Sequence, residues 1–345
     1  MSENYLLFVN VSYSFSILRP LQSAIQRRGA NAAWYLHGLD ASNLEPQECL
    51  LHSIDEVKRF NPRAVYVPGN WVPDFFPGVK VQIFHGFGIE KKGHFDIRGF
   101  FDLYCTSGPL MTNPFKRLEC RYRYFRVRET GWPKTDYLLQ YHPRKSWKAT
   151  HGIEKPVILY APTFSPSLSS ASALRPTIEK LAAKGNFHWL VKFHPLMDER
   201  IVGLYRNMQI PNLQIVDDAD IIPYMHAADV MVSDTSSVVA EFLMLNKPVV
   251  TYRTKSAADH ILNFRRPGDL AVSLEQALSG PKKVMSAAEI YIKQMHPYTD
   301  GRSSERVLAA TDSFIEKYQG RLNPKPLNLY RRLRIRQRMK YYRWK

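Results

Sequence analysis

Residues 227–250 read AADVMVSDTSSVVAEFLMLNKPVV, and the division of that line into elements decides the fold. Val230-Met231-Val232 is a short apolar run of the kind that forms a fully buried parallel strand. Ser233-Asp234-Thr235-Ser236-Ser237 follows, a cluster of helix-capping residue types set directly before a helical pattern in Val238, Val239, Phe242, Leu243 and Leu245. Lys247-Pro248 stops that helix ahead of another strand, Val249-Val250-Thr251. Asp234-Thr235-Ser236-Ser237 therefore falls at the carboxyl end of a strand and the amino end of a helix. Uncapped N–H groups and the helix dipole there favour an anion. Two readings stay open on this stretch alone: ordinary capping of a β-α unit, or a cradle for phosphate.

Outward from this unit the same alternation repeats. Toward the amino terminus, Tyr5–Val11, Ala32–Leu36, Ala64–Val67, Val79–Phe84, Leu103–Thr106 and Tyr124–Val127 read as strands, with helical patterns at Phe15–Arg27 and Glu48–Phe60. Residues 140–155 turn polar and lose periodicity, which marks a linker. A second set then begins with strands at Val157–Tyr160, His188–Lys192 and Leu213–Val216, and the quoted stretch and a final strand complete it. Helices are expected near Arg175–Ala183, Glu199–Asn207, Leu274–Leu278, Ser286–Gln294 and Ser303–Tyr318. Alternation of this kind predicts α/β architecture with parallel sheets, and at 345 residues two cores rather than one. Two Rossmann-like domains bind ligand beyond the carboxyl ends of their strands.

Composition narrows the function classes. Three cysteines, Cys49, Cys105 and Cys120, show neither disulfide nor zinc spacing, which suits a reducing compartment. No apolar run approaches the roughly 18 residues that span a bilayer, and the first residues lack the basic start of a signal peptide. The formal charge is +17, and ten Lys and Arg with no acidic residue lie in Arg321–Lys345. A tail so basic points to an anionic partner, whereas a nucleic-acid-binding protein would carry its excess charge on the body.

Several strand ends carry residues suited to chemistry. Val81–Phe84 runs into His85-Gly86 and a loop with Gly88, Lys91, Lys92 and Gly93; His188–Val191 runs into Lys192-Phe193-His194-Pro195; and Val157–Tyr160 runs into Ala161-Pro162-Thr163-Phe164. Because a helix terminus offers an exposed anion only about 0.3–1 kcal/mol, a held diphosphate needs further donors, and Lys192, His194 and Thr163 are suitable types. The acidic run Asp217-Asp218-Ala219-Asp220 reads as a capping turn before a helix rather than a metal cluster. The arginine–aromatic alternation of residues 121–128 reads as an edge strand with solvated arginines. Walker A, GxGxxG and HExxH patterns are absent.

Taken in order, these stretches resemble the CDP-glycerol glycerophosphotransferase family, the teichoic acid primases and polymerases. The resemblance is carried by His85-Gly86 with Lys91, Lys92 and Gly93, by residues 131–136 (GWPKTD), 159–164 (LYAPTF), 192–195 (KFHP) and 229–248, and by 300–306 (DGRSSER), together spanning roughly residues 80 to 310. It implies a GT-B fold, two Rossmann-like domains facing a central cleft, with residues 1–148 taking the acceptor, residues 149–320 holding the nucleotide donor, and 321–345 a basic amphipathic tail. By position, His85 is the implied general base. The same resemblance implies that His194 and Thr163 bind the diphosphate and offset charge on the leaving CMP. Lys192, Asp234, Thr235, Ser236 and Ser237 complete the phosphate side, and Gly86, Lys91 and Lys92 lie on the acceptor side. Glu241 contacts a ribose or glycerol hydroxyl, or is a solvated helix residue.

The implied reaction moves glycerol phosphate, or a related polyol phosphate, from CDP-glycerol or a similar CDP-alcohol to a hydroxyl of a glycan or lipid-linked acceptor. That is a step in making a teichoic-acid-like cell-surface polymer. The ligand types call for no cofactor and no metal, and leave magnesium on the diphosphate open. The tail suits an anionic membrane surface, giving a cytoplasmic enzyme peripheral on the inner face of the membrane with no nucleic-acid partner. The rival expectation is a GT-B glycosyltransferase or sugar-nucleotide epimerase working on a UDP-sugar.

Overall fold

A computed structural model describes residues 3–11, 13–87, 95–218, 220–254 and 258–343. The chain divides into two compact units, Met1–Gln140 with Gln294–Lys345, and Tyr141–Lys293.

The first unit holds β1 (Asn4–Val9), β2 (Asn31–Leu36), β3 (Ala64–Val67), β4 (Val79–Gln82), β5 (Leu103–Thr106) and β6 (Arg126–Glu129), all parallel in the order β2-β1-β3-β4-β5-β6. Strands β3, β4 and β5 are buried at every position, as covering on both faces requires. Lys80, on β4, is buried too; its ammonium donates to the carbonyls of Phe76 (2.6 Å) and Gly78 (2.5 Å), and burial pulls its pKa down to about 8. Around the sheet lie α1 (Ser14–Arg27), α2 (Ile54–Phe60), α3 (Pro109–Tyr122) and α4 (Lys134–Gln140). The arginine–aromatic stretch divides: Arg121 and Tyr122 end α3, Arg123 closes it at φ 59°, and only residues 126–129 form the edge strand.

The second unit holds β7 (Val157–Tyr160), β8 (His188–Val191), β9 (Leu213–Ile215), β10 (Val230–Ser233), β11 (Val249–Tyr252) and β12 (Leu262–Phe264), parallel in the order β12-β11-β10-β7-β8-β9. This is the Rossmann strand order, in which the direction of progression reverses between β7 and β10. Helices α5 (Trp147–His151), α6 (Ala171–Lys184), α7 (Glu199–Arg206), α8 (Ile222–Ala227), α9 (Val238–Leu243), α10 (Leu270–Leu278) and α11 (Lys282–Met295) accompany it. The quoted stretch folds as strand, turn, helix and strand, with α9 ending at Leu243 and Lys247 turned to other use. The Lys247 ammonium donates to the carbonyls of Met225, His226 and Ala228, closing the end of α8, and burial lowers its pKa to about 8.

The chain then returns to the first unit with α12 (Ser303–Tyr318) and α13 (Leu329–Arg338). The second unit thus ends at Lys293, not at residue 320. The reason is local: both oxygens of the buried Asp136 carboxylate accept the first N–H groups of α12, from Ser303 and Ser304, at 2.7 Å each. Along the same helix Val307, Leu308, Thr311 and Phe314 are buried, and Thr311 accepts the hydroxyl of Tyr66 at 3.1 Å. The tail is not a separate module either. Ile335, Met339 and Tyr341 join the core of Leu6, Phe8 and Val65, while Arg336, 5% exposed, pairs with Asp74 at 3.0 Å and lies over the Phe75 ring. The opposite side of α13 and its flanks leave Leu327, Leu329, Tyr330, Leu333 and Tyr342 exposed among arginines. No helix of the described residues is long and apolar enough to cross a membrane.

Candidate active site

In the second unit the register sets Val232, Tyr160 and Val191 side by side. The residues that follow each of them therefore leave the sheet at one edge, beside the point where the strand order reverses. Asp234, 2% exposed, does not cap its own helix. Its Oδ1 accepts the N–H of Thr163 at 3.0 Å, and its Oδ2 accepts the N–H and hydroxyl of Ser170 at 2.8 Å each. Tyr160 in turn donates to Ser170 Oγ at 2.9 Å, and Ser233 Oγ donates to the carbonyl of Ala161 at 2.6 Å. Burial raises the Asp234 pKa, and the hydrogen bonds it accepts oppose that rise. Asp234 is thus the strut that fixes the loop after β7, and with it Thr163.

Ser237 occupies the N-cap position of α9 yet makes no side-chain capping bond. The hydroxyls of Thr235, Ser236 and Ser237 have no hydrogen-bond partner among the described residues, and Thr235 and Ser237 are exposed. Plain capping therefore fails to account for these side chains, which are donors facing solvent. Glu241, expected either at a sugar hydroxyl or in solvent, is 4% exposed on α9.

From β8, Lys192 emerges half-buried and His194 exposed. Desolvation lowers the Lys192 pKa against the opposing pull of Asp217 and Asp218. His194 stacks on Phe164, ring centroids 4.5 Å apart, and its Nδ1 accepts the N–H of Leu196 at 3.1 Å. The neutral ring must then carry its proton on Nε2 as a donor. Desolvation, then the Lys192 charge, lowers its pKa. The acidic run is engaged throughout: Asp217 with Arg206, Asp218 with the Tyr224 hydroxyl, and Asp220 with the N–H of Ile222.

In the first unit His85 is half-buried just beyond β4, beside the place where that sheet also reverses, between β1 and β3. Its Nδ1 lies 3.2 Å from the Pro68 carbonyl, which can only accept; Nδ1 therefore holds a proton, and in the neutral ring Nε2 carries the lone pair. The ring rests against Tyr13 at 5.6 Å. Phe84, immediately before it, has φ 58°, an uncommon conformation for a bulky residue and one that clusters at functional sites. Among the described residues, a Cβ on Gly86 would meet nothing within 4 Å. Lys91 and Lys92, expected on the acceptor side, lie outside the described residues.

The motifs at 131–136 and 300–306 join each other. Gly131 has φ 80°, and a Cβ there would come within 2.3 Å of Ser303 Oγ. Sequence reasoning missed Ser170 as the partner of Asp234, Phe164 as the platform for His194, and His296. The last is fully buried, and its Nε2 accepts the Trp132 N–H at 3.0 Å with Thr135 Oγ1 at 3.1 Å. The Ser-rich loop around Ser170 and the aromatic beside Thr163 were visible signals; nothing local marks His296.

Two six-stranded parallel α/β units, the second with a donor-lined turn at its switch point, are the architecture of the GT-B class. The fold matches solved structures at low identity. A putative UDP-N-acetylglucosamine 2-epimerase from Listeria monocytogenes superposes with TM-score 0.66 at 12% identity, covering 92% of this chain and 98% of that one. The wall teichoic acid polymerase TagF does so with TM-score 0.63 at 13% identity, covering 91% and 89%. Residues 97–311 match the family model of CDP-glycerol:poly(glycerophosphate) glycerophosphotransferases, and the chain belongs to that family. The match takes in Thr163, Lys192, His194 and Asp234–Ser237 but begins after His85. A teichoic acid glycerol-phosphate primase of Bacillus spizizenii is 28% identical over 327 residues, 89% of this chain and 72% of the relative. One from Bacillus subtilis is 24% identical over 263 residues, 68% of each.

Proposed function

We propose that this enzyme transfers glycerol phosphate, or a related polyol phosphate, from CDP-glycerol to a hydroxyl of a glycan or lipid-linked acceptor, releasing CMP, in the synthesis of a teichoic-acid-like polymer. The observation that carries the proposal is the set of unused donors leaving one sheet edge of the second unit: the hydroxyls of Thr163, Thr235, Ser236 and Ser237, the Lys192 ammonium and the Nε2–H of His194. A nucleoside diphosphate ester is the ligand class that such a set serves. The second unit holds the donor, and the first supplies the base. His85 Nε2, the unprotonated nitrogen, takes the proton from the acceptor hydroxyl. The hydroxyl oxygen bonds to the β-phosphorus of CDP-glycerol, and the bond from that phosphorus to the bridging oxygen breaks. CMP leaves with the charge developing on that oxygen, which His194, Lys192 and Thr163 offset. Gly86, next to that base, is assigned to the acceptor side.

The exposed apolar residues Leu327, Leu329, Tyr330 and Leu333, interleaved with arginines, favour a seat on an anionic membrane, at roughly 1 kcal/mol per basic residue near such a surface. A lipid-linked acceptor would be found there. The discriminating measurement is nucleotide release with CDP-glycerol, CDP-ribitol and UDP-sugars as donors. CMP release from a CDP-alcohol, lost in His85→Ala without loss of fold, is the expected result. UDP release from a UDP-sugar would replace the proposal with a glycosyltransferase or epimerase, and normal turnover of His85→Ala would remove that residue from the mechanism.

A further inference from the structure

His85 is held in its strained setting by groups distant in sequence, all within the first unit. Phe84 and Phe87, the residues flanking the His85-Gly86 pair, both touch one side chain, that of Trp132. The indole Nε1–H donates to the Phe84 carbonyl at 3.4 Å, and the Phe87 ring meets the indole edge-on with centroids 4.8 Å apart. Trp132 is itself fixed from behind. Its N–H donates to His296 Nε2 at 3.0 Å, its carbonyl accepts the Thr135 hydroxyl at 2.7 Å, and Phe87 also packs on the His296 ring at 5.9 Å. A left-handed conformation at a residue like Phe84 costs on the order of 1–3 kcal/mol and persists only where the surroundings over-determine it. These contacts are the over-determination.

We propose that Trp132 and His296 are positioning residues for the base: His296 orients Trp132, and the indole grips both sides of the His85-Gly86 segment so that Nε2 of His85 is presented at a fixed place. The proposal rests on His85 serving as the base. The chain of contacts works only with His296 neutral, since Nε2 must accept the Trp132 N–H. That state agrees with its burial, which pulls the pKa down to about 4.

The test compares Trp132→Phe, His296→Phe and His296→Gln in the full chain. Trp132→Phe keeps a ring but loses the indole donor, His296→Phe loses the acceptor, and His296→Gln restores an acceptor. Displacement of a catalytic group by an ångström costs up to about a hundredfold. The expected result is therefore a fall of about ten- to a hundredfold in kcat for the two Phe variants, KM for CDP-glycerol unchanged, and recovery in His296→Gln. Nitrogen NMR of His85 gives a second readout that does not depend on turnover: in the Phe variants the ring loses its single Nδ1–H tautomer and its titration shifts. Folded Phe variants with unaltered kcat and an unaltered His85 tautomer would overturn the proposal. So would a loss that His296→Gln does not recover. Failure of the base assignment shows differently, as normal turnover in His85→Ala, while the NMR comparison still decides whether the clamp exists.

Discussion

His296→Gln, made in the intact chain, should flatten the acid limb of stability. The His296 ring is fully buried, and desolvation pulls its pKa from the ordinary 6.5 to about 4. Of the charges that face it, Arg306 lowers the value further and Asp300 opposes. The unfolded chain takes up a proton below pH 6.5, and the folded one does not until about pH 4. The contribution is therefore fully present above pH 6.5 and is lost as pH falls through that window. At 1.36 kcal/mol per unit, the loss is about 2 kcal/mol at pH 5 and about 3 kcal/mol at pH 4. Glutamine keeps an acceptor for the Trp132 N–H and does not titrate. Urea melts followed by tryptophan fluorescence at pH 7.5, 6, 5 and 4.5 should place the variant below the parent at neutral pH, within about the 1–2 kcal/mol of an imperfect hydrogen bond, and bring the two curves together or across by pH 5. The other histidines with lowered pKa values (His37, His188, His194 and His260) titrate in both proteins and cancel in the difference. A constant gap across the range would refute the buried-neutral assignment.

Asp234→Ala should cost several kcal/mol, since it orphans two N–H groups and a hydroxyl at about 1–3 kcal/mol each. It should weaken donor binding through release of Thr163, measurable as a lower melting temperature and a higher Kd for CDP-glycerol. Gly86→Ala meets no atom of the described residues within 4 Å and should leave the melting temperature unchanged, while the KM for acceptor rises if the acceptor passes that point; unchanged steady-state kinetics would remove Gly86 from the acceptor path. Replacing the exposed Leu329, Tyr330 and Leu333 together by Ser should lower binding to anionic vesicles at low salt. Point changes are the clean test because deleting the tail would strip Ile335, Met339 and Tyr341 from the core. Equal binding would refute a membrane seat.

The parts of the fold legible in the sequence are those with a short period. Val230–Val232, the turn and Val249–Thr251 announced a parallel β-α-β unit because a buried strand and a helix stop are local properties. Long-range partners left no such trace. Asp234 was legible as a turn residue, but its bonds reach back to Thr163 and Ser170, which no spacing encodes. Asp136 and Ser303, 167 positions apart, stood in two separate motifs, and only the fold joins them. The boundary at residue 320 failed for that reason. Helix α3 escaped notice because Pro114 and a mixed polar face blur its period. His85, His194 and the hydroxyls could be singled out as candidates because they follow apolar runs. His296 was not, since its role is set by Trp132, far away in the chain.

The return of α12 and α13 to the first unit makes the second unit an insertion, and this bears on how the protein is made. During synthesis strands β1 to β6 emerge long before the helix that satisfies Asp136 and covers Tyr66. The inserted unit, whose sheet is complete by β12, can fold on its own while the first unit waits with open apolar surface. The first unit is therefore the slower and more aggregation-exposed half. A ribosome stalled with residue 293 just clear of its exit tunnel should present one protease-resistant body, not two.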